Sequence, residues 1–332
     1  AHVIHVGFGK SADLLVIAPC TADTIAKLAH GIADNLLTVT ALAATCPLLI
    51  APAMDGGMFD HPATQENLAK LKERGAIIVG PAEGHLASGL TGTGRMIEPA
   101  EIFGHIRIVL GRKGKLAGKR VVVTAGGTQE ALDPVRVITN HSSGKQGYAL
   151  SQAALDSGAD VCLITAPTAL TPPVGARVIK VNSAEEMLNA VLAESADALI
   201  MAAAAADFRS KTVAKDKLKK RDGIPQIELE AAPDILKSVS GSGAARSEKR
   251  FKVVVGFAAE SQNLLENASE KLASKQLDFI AANDISSNDA GFAVDTNRVT
   301  LLFANGTKET LPLMSKMEVA EKIVEYTARL LE

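Results

Sequence analysis

The chain has 332 residues, 47% of them hydrophobic and 22% charged, with a formal net charge of −2. That length holds two domains with cores of their own, and the charge offers no basic field for a nucleic-acid backbone. No apolar run reaches the ~20 residues of a membrane span, no signal peptide is visible, and Cys20, Cys46 and Cys162 lack paired metal spacing, as free thiols in a reducing, cytoplasmic compartment would. Aromatic residues make up 3% and Trp is absent, so the cores are expected to be Ala, Val, Ile and Leu.

In chain order, the first residue is Ala rather than Met and a strand is expected almost at once, which suggests a missing or processed start. Leu14–Pro19 is a continuous apolar run, as in a strand buried on both faces. Thr21–His30 and Asp34–Ala44 read as helices, Leu48–Pro52 as a second strand, Ala63–Arg74 as a helix closed by Gly75, Ile77–Val79 as a short strand and Glu98–Leu110 as a helix. Such βα alternation predicts a parallel sheet with helices on its faces. Gly111–Arg120 is glycine-rich and basic and reads as a solvated linker, the domain boundary. A second βα series follows: strands at Val121, Val161–Ile164, Val178–Val181, Ala198–Ala202, Lys252–Phe257, Phe279–Ala282 and Val299–Phe303, with helices over Gly147–Ser157 and Leu264–Lys275. Ser183 with Glu186, and Ser315 with Glu318, carry capping-box spacing ahead of two more helices.

The densest chemistry lies in Val121–Gly147, VVVTAGGTQEALDPVRVITNHSSGKQG. An apolar strand breaks at Gly126-Gly127, and one connection then gathers Thr128, Arg136, Asn140, Ser142, Ser143 and Lys145. Backbone N–H groups and a following helix start suit an anionic ligand there; an ordinary βα turn is the plain alternative. SSGK at Ser142–Lys145 is no P-loop, since Thr139 stands where the first glycine belongs and Gln146 replaces Ser or Thr. TAGGTQ is likewise not GxGxxG. Asp207 follows the small-residue run Ala202–Ala206 at the carboxyl end of an expected strand, the edge where open α/β sheets bind ligands; five alanines would admit a planar ring, or simply a tightly packed helix. The basic run Lys211–Arg221 reads as a solvated face or as a mobile flap over polyphosphate. Lys271 and Lys275 share a helix face, neither clearly paired with an acid at helical spacing toward the C-terminal end, so they read as a solvated face or as a phosphate contact. In the first half, Ala51–Met58 and Gly89–Met96 read as Gly-rich ligand lids, and His5 by itself reads as inert.

These residues together resemble a known family. VTAGGTQEALDPVRVITNHSSGKQG, AAAAADF, KDKLKK, APDI, GFAAES and AND resemble the phosphopantothenoylcysteine synthetase domain, six segments in order. APCTADTIAK, APAMDGGM and TGTGRM resemble the flavin-dependent phosphopantothenoylcysteine decarboxylase. The two are often fused in bacteria as a bifunctional coenzyme A biosynthesis protein, and the resemblance covers essentially the whole chain. It implies an α/β fold: a partial flavodoxin-like parallel-sheet domain over residues 1–112, a linker over 113–119, and a Rossmann-like α/β ligase domain with a basic flap over 120–332.

The resemblance implies that the ligase half activates the carboxylate of 4′-phosphopantothenate with CTP and Mg²⁺, forming an acyl-cytidylate that L-cysteine's amine resolves. Lys217 would face the triphosphate with Lys271 and Lys275, and Asn140 would hold the acyl intermediate, with Arg136 also at the substrate. Asp207, Phe257 and Ala232, Pro233, Asp234 and Ile235 would line the nucleotide pocket together with Gly126, Gly127, Ser142, Ser143, Gly144 and Ala204. In the decarboxylase half, Pro19, Thr21, Ala22, Thr24, Pro52 and Met54 would bind FMN, and Asp55 and Met58 the substrate. The family's catalytic His aligns with His5. Two positions depart from the family: its PAMN asparagine is Asp55 here, and its lid cysteine is Ser88. The family's opening strand and Gly-Ser-rich FMN-phosphate loop are also missing, which predicts a fragment with flavin binding in doubt. Homo-oligomers are implied, with ligase domains pairing and flavin domains trimerising. The competing readings are an NAD(P)-dependent Rossmann oxidoreductase, which requires the absent GxGxxG, and a ligase joined to a non-catalytic flavoprotein-like domain.

Overall fold

A computed structural model describes residues 4–220, 224–240, 250–260, 262–284 and 294–332. The chain divides into two units, Ala1–Leu110 and Gly111–Glu332.

The first unit holds a parallel sheet in the order β1 (Leu15–Cys20), β2 (Leu48–Pro52), β3 (Ile77–Ile78). Leu15 registers with Leu48, and Leu49 with Ile77. The apolar runs are buried from both sides: Ile17, Cys20, Ile50, Leu68 and Leu71 form one core, Leu49, Ala51, Val79, Ile97 and Ile102 the other. The helices are α1 (Ile4–Ser11), α2 (Ala22–His30), α3 (Leu36–Ala43), α4 (Gly56–Phe59), α5 (Pro62–Glu73) and α6 (Pro99–Gly111). Local chemistry starts them where expected. Thr21 caps α2 by accepting from the Thr24 N–H, and Asn35 and Thr38 form a capping box on α3.

Two expectations for this unit are corrected. His5 lies on α1, a helix, where the sequence suggested only a lead-in to the strand. The two Gly-rich runs form regular structure. Asp55 caps α4, and Thr91–Arg95 (β5) pairs antiparallel with Ala82–His85 (β4).

The second unit contains β6 (Arg120–Ala125), β7 (Gln129–Ala131), β8 (Val137–Thr139), α7 (Lys145–Asp156), β9 (Asp160–Thr165), β10 (Arg177–Lys180), α8 (Ala184–Ala193) and β11 (Ala196–Met201). It continues through β12 (Phe208–Ser210), β13 (Leu229–Ala231), α9 (Ile235–Ser240), β14 (Phe251–Glu260), α10 (Leu264–Ser274), β15 (Phe279–Asp284), β16 (Thr296–Asn297), β17 (Val299–Phe303), β18 (Lys308–Thr310), β19 (Met314–Ser315) and α11 (Lys316–Leu331). Its eight-stranded sheet runs β10-β9-β6-β11-β14-β15-β17-β18. Neighbours are parallel as far as β15, then antiparallel. Strand order reverses between β6 and β11, the switch point of a Rossmann-like sheet, where a ligand crevice forms.

Alternation builds a core on each face. Val121 and Val123 join Leu150, Ile200, Val255 and Phe279 on the α7/α11 side, while Val122 joins Leu199, Val254 and Ile280 on the α8/α10 side. The stretch read as a solvated linker is folded onto this unit. Leu116 is 1% exposed within the first of these cores, and its N–H donates to the Ser157 carbonyl at 2.8 Å. Both capping signals open helices: Ser315 and Glu318 reciprocate, whereas Glu186 accepts instead from the Asn182 N–H. The basic run sits in the connection of the β12–β13 ribbon. Arg221 at its end, and Ser261 at the end of GFAAES, lie outside the described residues.

Candidate functional site

At the switch point, Gly126 takes a positive φ of 80°, open to glycine without strain, and turns the chain off β6. Gly127 then bridges to Ala204, the Gly126 carbonyl accepts from the Ala204 N–H at 2.9 Å, and the Thr128 hydroxyl accepts from the Ala206 N–H at 2.9 Å. The alanine run is thus fastened to the Gly-Gly turn rather than to a covering helix. Asn140 follows the β7–β8 hairpin, and its amide nitrogen donates to the carbonyls of Ala204 and Ala205 at 3.1 and 3.3 Å. That double engagement fixes the orientation of the amide.

These elements border a cavity of about 690 Å³. Asn140, Ser142, Ser143, Gly144, Ala204 and Asp207 line it on the switch-point side, and Ala232, Pro233, Asp234, Ile235, Phe257, Lys271 and Lys275 on the other. Thirteen residues proposed from sequence for nucleotide or acyl chemistry therefore reach one place, apart from four others. Gly126 and Gly127 do not line the cavity but hold Ala204, which does. Arg136 and Lys217 do not line it.

Those two belong to an outer layer. Arg136 donates to the Leu218 carbonyl at 2.6 Å, and Asp133 accepts from the Val135, Arg136 and Leu218 N–H groups at 2.8, 2.8 and 3.1 Å. Asp133 is 2% exposed. Burial pushes its carboxyl upward, but those N–H groups and the Arg136 charge outweigh it and hold Asp133 below the usual carboxylate range. The basic flap is pinned at Leu218 while Lys217 stays exposed beside it. Asp133 was not singled out in the sequence; its place one residue before Pro134 is the turn signal that marks it.

The cavity's cations have partners. Lys275 pairs with Asp234, an acid outside its own helix, and Lys271 donates to the Phe257 carbonyl at 2.8 Å. Burial raises the Asp234 carboxyl, but Lys275 and the Lys237 N–H reverse this, and the net shift is downward. The sequence reading missed Gln146, Asn283, Asn297 and Lys316, which also line the cavity. A lysine in the first turn of α11, where the helix dipole disfavours a cation, is the signal that could have drawn attention to Lys316.

In the first unit, the two positions that depart from the family meet. The Ser88 hydroxyl donates to Asp55 Oδ2 at 2.6 Å, and the Gly57 N–H donates to Oδ1 at 3.0 Å. Together they hold the Asp55 carboxyl below its ordinary range. Met54 is pinned to the hairpin by its N–H, which donates to the Gly94 carbonyl at 2.9 Å. Pro19, Thr21, Ala22 and Thr24 lie at the end of β1 and the start of α2, and Pro52 ends β2. Met58 is exposed on α4. Among the described residues no hydrogen bond joins His5 to the Asp55–Ser88 pair.

No described helix is long and apolar enough to cross a membrane. Among the described residues, no group of three or more His, Cys, Asp or Glu is placed to hold a metal ion.

The family model for the DNA/pantothenate metabolism flavoprotein C-terminal domain matches residues 116–330, and the Flavoprotein model matches residues 1–110. The second match overturns the expectation that the N-terminal part of the decarboxylase domain is lacking. The coenzyme A biosynthesis bifunctional protein CoaBC of Bacillus subtilis is 46% identical over 99% of this chain and 80% of its own length. That of Vibrio cholerae is 47% identical over 96% and 79%. A crystal structure of the C-terminal domain of a CoaBC protein superposes with a TM-score of 0.55 at 39% identity, covering 66% of this chain and 98% of that one. With both halves matched in order along nearly its full length, the chain belongs to the family of bifunctional coenzyme A biosynthesis enzymes.

Proposed function

We propose that the second unit ligates 4′-phosphopantothenate to L-cysteine using CTP. The observation that carries this reading is the single cavity at the sheet's carboxyl edge, in which Asn140, Asp207, Asp234, Lys271 and Lys275 meet beside the Ser142–Gly144 turn at the start of α7. The alanine-lined slot and the Ala232–Ile235 segment would receive the nucleoside. The turn's N–H groups and the α7 dipole favour phosphate. Lys271 and Lys275 would neutralise the triphosphate, and Lys217 would join them as the flap swings in.

The substrate carboxylate attacks the α-phosphorus; a P–O bond forms as the bond to pyrophosphate breaks. Cysteine's amine then attacks the acyl carbon. The C–N bond forms, the C–O bond to CMP breaks with its electron pair leaving on CMP, and the amine proton passes to water. Asn140 would hold the acyl intermediate. Mg²⁺, arriving on the nucleotide, would offset phosphate charge, with phosphate oxygens and water supplying most of its ligands. The test is pyrophosphate release by the purified chain: it should require CTP and 4′-phosphopantothenate, and ATP should be the poorer nucleotide. No release with either nucleotide refutes the reading.

For the first unit we propose FMN-dependent decarboxylation of the ligase product. Thr21, Ala22 and Thr24 at the start of α2, with Pro19, Pro52 and Met54 at the strand ends, would hold FMN; small residues and a helix N-terminus fit a flat ring and its phosphate. FMN supplies two-electron oxidation of a thiol. Asp55, kept ionised by Ser88 and Gly57, would accept the substrate's amide N–H groups, with Met58 alongside and His5 as the basic group on α1. Quenching of FMN fluorescence by the chain, weakened in Thr21→Ala, checks this. Assembly into homo-oligomers, with ligase units pairing, belongs to the same proposal and is read by sedimentation.

A further inference from the structure

Part of the cavity's lining holds a hydrogen-bond chain whose direction is fixed. The Lys316 carbonyl can only accept, and it accepts from Gln146 Nε2 at 3.1 Å. Gln146 Oε1 must therefore be the acceptor for Asn297 Nδ2, at 2.8 Å. That leaves Asn297 Oδ1 as an acceptor, and among the described residues it has no partner; the same is true of Asn283 Oδ1. Both oxygens are buried, on residues 3% and 9% exposed, and both residues line the cavity. They sit on adjoining segments, for Asn283 registers with Val299, two positions past Asn297. A buried acceptor without a donor is destabilising by the full desolvation of the group, so the fold keeps these oxygens for a ligand.

The ligand must bring N–H or O–H donors. Phosphate oxygens are acceptors and would be repelled by them. A divalent cation would be opposed by the Lys316 and Lys145 ammonium groups that line the same cavity. Lys316 itself is 7% exposed, so an anionic group on the ligand would stabilise its charge. Burial first, then the nearby charge of Lys145, lowers its pKa, with Asp295 acting the other way. One small molecule carries donor and anion one carbon apart: an α-amino acid. We propose that Asn283, Asn297 and Lys316 form the amino-acid subsite, with the amide oxygens accepting from the α-amine and Lys316 holding the α-carboxylate. This rests on the ligase reading and names where its second substrate sits. Gln146 lies within the first turn of α7, directly after the turn assigned to phosphate, and Asn140 borders the same cavity, so an amine held here enters beside the acyl group it must attack.

The test separates the two half-reactions. Exchange of labelled pyrophosphate into CTP, with 4′-phosphopantothenate and no cysteine, reads activation alone; amide formation reads both. Asn297→Leu and Lys316→Met are expected to raise the KM for cysteine about ten- to hundredfold, the range for a lost hydrogen bond to a charged or buried group, while exchange stays within about threefold. In the wild type, cysteamine, which lacks the carboxylate, should show a KM at least about tenfold above that of cysteine, and Lys316→Met should close that gap. An unchanged KM for cysteine, loss of exchange in step with amide formation in variants that remain folded, or a shift in Mg²⁺ dependence instead overturns the subsite. Should the variants not fold, the wild-type comparison decides: equal KM values for cysteine and cysteamine refute it. Absence of exchange in the wild type sinks the ligase reading itself, which distinguishes the two failures.

Discussion

Gly147→Ala tests whether the position of α7 is set by contact with β6. A Cβ at Gly147 would lie 2.5 Å from Ala125 Cβ, 2.9 Å from the Thr124 carbonyl oxygen and 3.0 Å from Ala125 Cα. None of these atoms can swing aside, because each is backbone or the first atom of a side chain on a strand held between β9 and β11. Carbon–carbon contacts settle near 3.5–4.0 Å, so the N-terminal end of α7 must retreat by about 1 Å. Overpacking of this kind destabilises by about 1–3 kcal/mol, against about 1 kcal/mol gained from alanine's helix propensity. With an immovable partner the upper part of that range applies, leaving a net loss of about 1–2 kcal/mol. The same retreat carries Ser142–Gly144 off the cavity, and a 1 Å misplacement can lower turnover on the order of a hundredfold. Urea unfolding followed by far-UV circular dichroism should show a lower midpoint at unchanged slope, alongside the fall in kcat/KM for CTP. An alanine variant with a midpoint equal to or above the wild type would refute the packing argument, whatever its activity.

Lys217→Ala should leave the unfolding midpoint unchanged and lower ligase turnover by roughly one to three orders of magnitude, as for loss of a charge-stabilising group; unaltered kinetics would remove the flap from the mechanism. Asp133→Asn places an N–H₂ group against the Leu218 N–H that Oδ2 now accepts at 3.1 Å, so trypsin should cut at Lys215, Lys217 and Lys219 faster while the overall circular dichroism is kept. Because the Asp133 carboxyl sits below its ordinary range in the fold, its anchoring is fully present above the unfolded carboxylate pKa of about 3.9 and is lost as pH falls through the folded value. Cleavage at Leu218 by pepsin, a protease active in that pH range, should therefore speed up in the wild type relative to the variant as pH falls. Ser88→Ala should move the Asp55 titration, followed by carboxyl NMR, upward toward the usual range, since the Ser88 hydroxyl is the leading cause of its depression; an unmoved titration would assign the shift to the Gly57 N–H alone.

Much of the sheet was legible because its strands are buried on both faces. Val121–Val123, Ala198–Met201 and Val253–Val255 read as unbroken apolar runs for the same reason that their side chains alternate between two cores. The switch-point residues were legible as small residues at a strand's end. What escaped were interactions fixed by tertiary distance. The run around Leu116 looked like a linker because nine polar or small neighbours mask one core side chain. α1 was missed because Gly7 and Gly9 weaken a helical pattern. Gly9 is there so that α1 can lie against Ala43, where a Cβ would come within 2.8 Å of backbone atoms. The hydrogen-bond chain formed by Gln146, Asn297 and Lys316 joins positions 151 and 170 residues apart, a separation at which no local pattern carries information.

The cavity's charges show how a cationic site avoids being an unstable one. Lys145 rests on Asp295, whose side chain is 86% exposed, and Lys275 rests on Asp234, 43% exposed. Exposed pairs of this kind contribute little to stability, so an arriving phosphate can displace the carboxylate at small cost and gain a stronger charge-assisted bond. Lys271 is steadied differently, by the Phe257 carbonyl at a strand's end, which holds its ammonium in place without neutralising it. Lys316 has no such latitude, because burial disfavours its charge from the outset. A bound anion therefore stabilises the charged form of Lys316 to a degree it cannot for the half-buried lysines. On this division, the half-buried cations suit a nucleotide that must enter and leave as pyrophosphate and CMP, and the buried one suits a ligand held close while its amine reacts.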